Sequence, residues 1–142
     1  VWYPSQWLGW GWWPKHADFG SPLAGHMRFI DRSSRRLART LFHGAMRHQM
    51  RLAYRQQLLG RLVDIGSELF AMAAACARAR ALTQQHPADR SPVELADVFC
   101  RLARRRIGRI WQSAAANDDQ RVYRLAQDVL QGRMAWLETG IL

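Results

Sequence analysis

The stretch from Gly60 to Ala79, GRLVDIGSELFAMAAACARA, decides what this chain can fold into. Its apolar residues recur at helical rather than alternating spacing, yet Asp64, Gly66 and Glu68 sit in the middle of the run. On a helix Asp64 and Glu68 lie four apart on one face, where two carboxylates could share a metal or a proton-transfer task. The competing reading is packing. Gly66 then lets another backbone approach, and the carboxylates pair with arginines, either Arg61 in the same helix or others on adjacent helices. Catalysis would need a third group, and neither HExxH nor ExxH occurs in the chain. Packing is the reading adopted, so Arg61, Asp64, Gly66 and Glu68 are expected to be structural or interface residues. No residue is assigned a catalytic, cofactor-binding or metal-binding role.

Working outward, the apolar set Leu58, Leu59, Leu62, Val63, Ile65, Leu69, Phe70, Ala73, Cys76 and Ala77 is broad enough for a helix buried on more than one side. It should run from about Leu52 to Gln84, a span of about 50 Å, longer than a small domain is wide. Part of it therefore calls for a partner outside the chain. Upstream, Ser21-Pro22 predicts a helix start, with Ser as the cap and Pro at the first helical position. Leu23, Met27, Ile30, Leu37, Leu41 and Ala45 then recur with a gap at Ser34, while Arg28, Arg32, Arg35, Arg36 and Arg39 crowd the remaining surface. A break is expected near residues 48 to 52.

Downstream, Ser91-Pro92 with Glu94 predicts a capping box opening a third helix that carries Val93, Ala96, Phe99, Cys100, Ala103, Ile107, Ile110 and Trp111. ANDDQ is a turn, and a fourth helix with Val122, Leu125, Ala126, Val129 and Leu130 should end at Gly132. Strand-like alternation and internal repeats are absent from the sequence. The expectation is an all-α helical bundle of about four helices over residues 21–142, preceded over residues 1–20 by an irregular Trp-rich arm.

That arm, VWYPSQWLGWGWWPKHADFG, holds Trp2, Trp7, Trp10, Trp12 and Trp13, five of the chain's seven tryptophans. Rings of this size are seldom left bare in water, so they predict a strap on a larger protein body or a belt at an anionic membrane surface. A start without Met points to a missing body. No signal peptide is readable, and the longest apolar run, Leu69 to Ala77, falls well short of the ~20 residues a spanning helix needs. The chain is expected not to cross a membrane and to be cytoplasmic, at most peripheral to a membrane. Cys76 and Cys100 stand apart in the sequence, without the close pairing of a zinc site or a disulfide framework, so a reducing compartment is the simpler reading.

A formal net charge of +10 raises the question of an anionic partner. The run RSSRRLAR, Arg32 to Arg39, could grip phosphates, but no helix-turn-helix spacing, aromatic RNA-binding strand or zinc motif accompanies it. A solvated helix face is preferred, and no specific nucleic acid is expected. An independent basic helical protein that binds nucleic acid is the alternative. His43 and His48 are five apart, on different helix faces, and should not share a metal.

RFIDRSSRRLARTLFHGAMRHQ followed by RQQLLGRLVDIGSELFAMAAACARA resembles the C-terminal extension of bacterial acyl-CoA dehydrogenases, and is similar to the tail of the very-long-chain enzymes. In that group a helix of pattern LxRLxDxxxxLxAM follows the catalytic core; here Leu59, Arg61, Leu62, Asp64, Leu69, Ala71 and Met72 stand in it. The resemblance extends through the Cys100 helix to RVYRLAQDVLQG, covering about residues 20 to 140. It implies FAD and acyl-CoA α,β-dehydrogenation in a complete enzyme, none of whose catalytic or flavin-binding residues can be placed in this chain. It further implies a helical domain that packs on the catalytic core, in a homo-oligomer.

Overall fold

Three helices of this chain bury residues at alternating intervals of three and four, and that shared spacing builds the fold. The computed structural model describes residues 16–48 and 56–140. Among them are the α-helices α1 (Leu23–His48), α2 (Gln56–Gln85), α3 (Ser91–Ala115) and α4 (Asp119–Leu130), with single 3-10 turns at Ala17–Phe19 and Ala135–Leu137 and no strand. The all-α expectation holds. The predicted break at residues 48 to 52 falls largely outside the described residues, although α1 is described to His48 and α2 from Gln56.

On α2 the buried positions are Leu62, Ile65, Leu69, Met72, Cys76 and Ala79; on α3 they are Ala96, Cys100, Ala103 and Ile107, with Val93 and Ile110 packed at the ends. A three-four alternation averages 3.5 residues, the period that keeps one seam facing a partner helix along its whole length. The two helices run antiparallel, joined by the short link at residues 86–90. Moving forward from Glu68 to Cys76 on α2 shifts the partner backward, from Arg106 to Cys100 on α3. Small residues at Ala79, Ala96 and Ala103 let the axes approach.

α1 lies along this pair, parallel to α3. His26 meets Asp97, Phe29 lies under Arg104 and Arg36 covers Trp111, so both helices advance together. Its seam is Leu23, His26, Ile30, Ser33 and Leu37, again three and four apart. The sequence pattern left a gap here because two of the five are polar: Ser33 is buried where Ser34 marked the gap, and Leu41 is exposed. His26 is tolerated because its Nε2 lies 2.8 Å from an Asp97 carboxylate oxygen.

Two helix starts differ from expectation. α1 begins at Leu23, one residue after Pro22; Gly20, at φ 66°, turns the chain in and its carbonyl accepts from the Ala24 N–H. The Ser91 capping box does not form, because Ser91 already lies inside α3 and Arg90 is the cap residue. Asp89 takes over instead, its carboxylate accepting from the Ser91 N–H at 2.9 Å. The Ser91 hydroxyl, and after it the Ser91 N–H, hold the Asp89 carboxyl below its usual range. The far end of α4 behaves as predicted. Gly132 adopts φ 72°, and the Gly132 and Arg133 N–H groups donate back to Val129 and Asp128 carbonyls, the Schellman arrangement.

Candidate functional site

Of the four residues singled out in α2, Asp64 and Glu68 stand in a shallow open groove of about 620 Å³ along the α2–α3 pair. Asp64, Ser67, Glu68 and Ala71 line it from α2; Phe99, Arg106, Arg109 and Ile110 line it from α3. Glu68 is clamped by Arg106, whose Nε and Nη2 donate to the two carboxylate oxygens at 2.6 and 2.8 Å. With both oxygens taken by one guanidinium fork, the Glu68 side chain is locked. The predicted pairing with an adjacent helix is thus found at Glu68.

Arg61 differs from the expected partner. It turns away from its own helix to the start of α4, where Nη1 and Nη2 donate to the Asp119 carboxylate at 2.6 and 2.8 Å. Asp64 shares a face with Glu68, as its spacing demanded, but is exposed and has no ion pair among the described residues. Arg109 faces the same groove, also without an ion pair among the described residues. Gly66 does receive a neighbour, though a side chain rather than a backbone: an added Cβ would meet the Leu37 Cδ2 of α1 at 3.7 Å, an ordinary contact.

Sequence reasoning did not name Arg106 or Asp119. Their signal was positional. Arg61, Glu68 and Arg106 each sit immediately beside a buried seam residue, where heptad pairs place interhelical charges. Nor did it pick out His26 and Asp97, where burial hides a polar contact between helices α1 and α3. His26 and Arg101 together hold the Asp97 carboxyl below its usual range, the His26 bond being the larger cause. In the arginine-rich run the solvated-face reading needs correction at Arg36, whose guanidinium stacks 4.2 Å from the Trp111 ring centroid.

The expectation that α2 is buried on more than one side is not met among the described residues. Val63 and Phe70 on α2 are 65% and 77% exposed, and Leu95, Val98 and Leu102 on α3 are exposed as well. Along α2 the residues Val63, Ser67, Phe70, Ala74 and Ala77 repeat the three-four spacing of the buried seam on the outer side. α4 adds a second uncovered stripe of Val122, Leu125, Ala126, Val129 and Leu130, none of them buried. These faces have the chemistry of contact surfaces. No helix of the described residues is long and apolar enough to cross a membrane. Trp7, Trp10, Trp12 and Trp13 lie outside the described residues.

Comparison with known proteins gives a consistent result. The family model described as ACAD9/ACADV, C-terminal domain, matches residues 22–134. Proteins named Probable acyl-CoA dehydrogenase FadE10, from Mycobacterium bovis and from Mycobacterium tuberculosis, are each 46% identical over 99% of this chain. The chain spans 22% of the length of those relatives. No solved structure matches.

Proposed function

This chain belongs to the ACAD9/ACADV C-terminal domain family, and from that premise we propose that it is the C-terminal helical domain of a larger FAD-dependent acyl-CoA dehydrogenase. In the complete enzyme the α,β-dehydrogenation of an acyl-CoA and the flavin belong to an upstream catalytic core, and this domain's role is architectural. The whole reading rests on the family match together with 46% identity across nearly the entire chain. Residues 21–142 form the packing unit and residues 1–20 the arm that joins it to the core. The complete enzyme is a cytoplasmic homo-oligomer.

The outer side of α2, where Val63 and Phe70 are exposed, is the side that packs on the core. It supplies the second burial that the breadth of the α2 pattern calls for. Asp64 and Arg109, without ion pairs among the described residues at its edge, are the groups a polar rim of that contact would use. Hydroxyl-radical footprinting of the complete protein tests this directly. Phe70 should be labelled far more slowly than in a protease digest of the same protein. Labelling at the digest rate would refute the core contact.

A second reading has one observation behind it. The exposed apolar stripe of α4 is accompanied by Arg121, Arg124 and Arg133, a composition suited to an anionic membrane surface. Burial of the Trp arm and of these faces on the core predicts weak sedimentation of the complete enzyme with anionic vesicles. Strong sedimentation, with a shift of tryptophan emission, would make the domain a peripheral membrane anchor instead.

A further inference from the structure

Cys76 and Cys100 were set aside in the sequence because 24 residues separate them, but the α2–α3 hairpin brings their sulfurs to 3.6 Å. They are the chain's only two cysteines, and each occupies a seam position with no exposed surface. The layers on either side are small or flexible: Met72 and Ala79 on α2, Ala96 and Ala103 on α3. Two thiols in van der Waals contact need approach by only about 1.5 Å to reach the 2.05 Å of a disulfide, a shift that these small neighbours leave room for. Cys100 also directs its sulfur toward the Met72 carbonyl at 3.9 Å, which keeps it on the partner helix.

We propose that Cys76 and Cys100 form an oxidative modification site, a dithiol that closes to an intramolecular disulfide and staples α2 to α3. The oxidant is a peroxide. One thiol, as thiolate, attacks a peroxide oxygen, becomes a sulfenic acid and releases an alcohol or water. The second thiol attacks that sulfur and expels water, so two thiols lose two protons and two electrons while the O–O bond is reduced. Burial sets the rate. Because both sulfurs are inaccessible, and the neighbouring sulfur and desolvation push the Cys100 thiol up, the first attack must wait for local opening of the helix pair. The second step is then fast, since reclosing the seam restores the contact before further oxidation. This proposal stands independently of the acyl-CoA dehydrogenase reading.

The test treats the complete, natively folded protein with hydrogen peroxide, blocks remaining thiols with N-ethylmaleimide in denaturant, digests with trypsin and analyses the peptides by mass spectrometry. The expected product links residues 62–78 to residues 91–101, accumulates over hours and disappears on reduction. The oxidised protein should unfold at higher denaturant concentration than the reduced one. Cys100→Ser should divert Cys76 to sulfinic and sulfonic acid under the same treatment. Persistence of both thiols under peroxide that fully oxidises an exposed-thiol standard would overturn the proposal. So would direct passage of both residues to sulfinic acid without a linked peptide.

Discussion

α3 and α4 are consecutive, joined by three residues, and both are amphipathic, yet they live in opposite environments. α3 presents Ala96, Cys100, Ala103 and Ile107 to α2 and buries them; α4 presents Val122, Leu125, Val129 and Leu130 to nothing among the described residues. The difference lies in who the partner is. α3 has a 30-residue helix running back along it with a matching seam, whereas α4 is fastened at its first turn by the Arg61–Asp119 fork. An apolar stripe establishes that a helix has a partner, and only geometry establishes whether that partner is on the same chain.

The contrast breaks most easily in the seam. Ile65→Ala should lower the unfolding free energy by about 2–5 kcal/mol, the range for emptying a packed aliphatic site. Leu125→Ala should change it by about 0.5 kcal/mol or less in this chain, as for exposed positions. Urea melts of the two variants test the pair together, and equal losses would mean that α4 is packed after all. Gly66→Leu comes next, with a loss of about 1–3 kcal/mol from crowding against Leu37. Gly66→Ala should be neutral or stabilising by up to about 1 kcal/mol, because its Cβ meets only an ordinary contact and Ala favours the helix. Asp64→Asn should have less effect than Gly66→Leu; the reverse order in denaturant melts would point to a buried charge at Asp64.

Acid should discriminate the helices more gently. Asp97 has a depressed carboxyl pKa when folded, so its contribution is complete above the ordinary carboxylate value near ~3.9 and is lost as pH falls through the lower folded value. Asp97→Asn should therefore weaken the fold at neutral pH and flatten the acid limb of the stability profile, read by thermal melts between about pH 2 and 7. An acid limb as steep as in the parent protein would remove Asp97 from this role. The smallest effect is local. Asp119→Asn should reduce amide hydrogen-exchange protection in α4 while leaving the seam amides of α2 and α3 unchanged. Uniform loss would show that the fork supports the whole bundle.

What the sequence disclosed and withheld follows the same line. Helix class, the end of α2 near Gln84 and the Gly132 stop were legible because periodicity and caps act within a few residues. The α1 seam was only half legible, since His26 and Ser33 are buried through contacts made 71 residues away or by a neighbouring helix. The Ser91 capping box misread a real start by one residue, because Asp89 offers a charged acceptor where Ser91 offers a neutral one. Among the interface residues, Glu68 was left with two possible arginine partners, one in its own helix and one on a neighbour, and Arg106 of α3 holds it. Arg61, the in-helix alternative, instead binds Asp119, which is 58 residues distant and which nothing local announces. Asp64 retained the position expected of it without acquiring an ion pair among the described residues. The meeting of Cys76 with Cys100 was hidden for the simplest reason: a hairpin folds distance away.

The Arg61–Asp119 fork also makes α4 a lever. Its 12 residues extend about 18 Å from that fulcrum, so a tilt of about 10° at Asp119 would carry Leu130 through about 3 Å. A displacement too small to register in the α2–α3 seam is thereby magnified at the free end of the arm. Any surface that grips the Leu125–Leu130 stripe applies torque to one bidentate ion pair, and through Arg61 to the first turns of the long helix behind it.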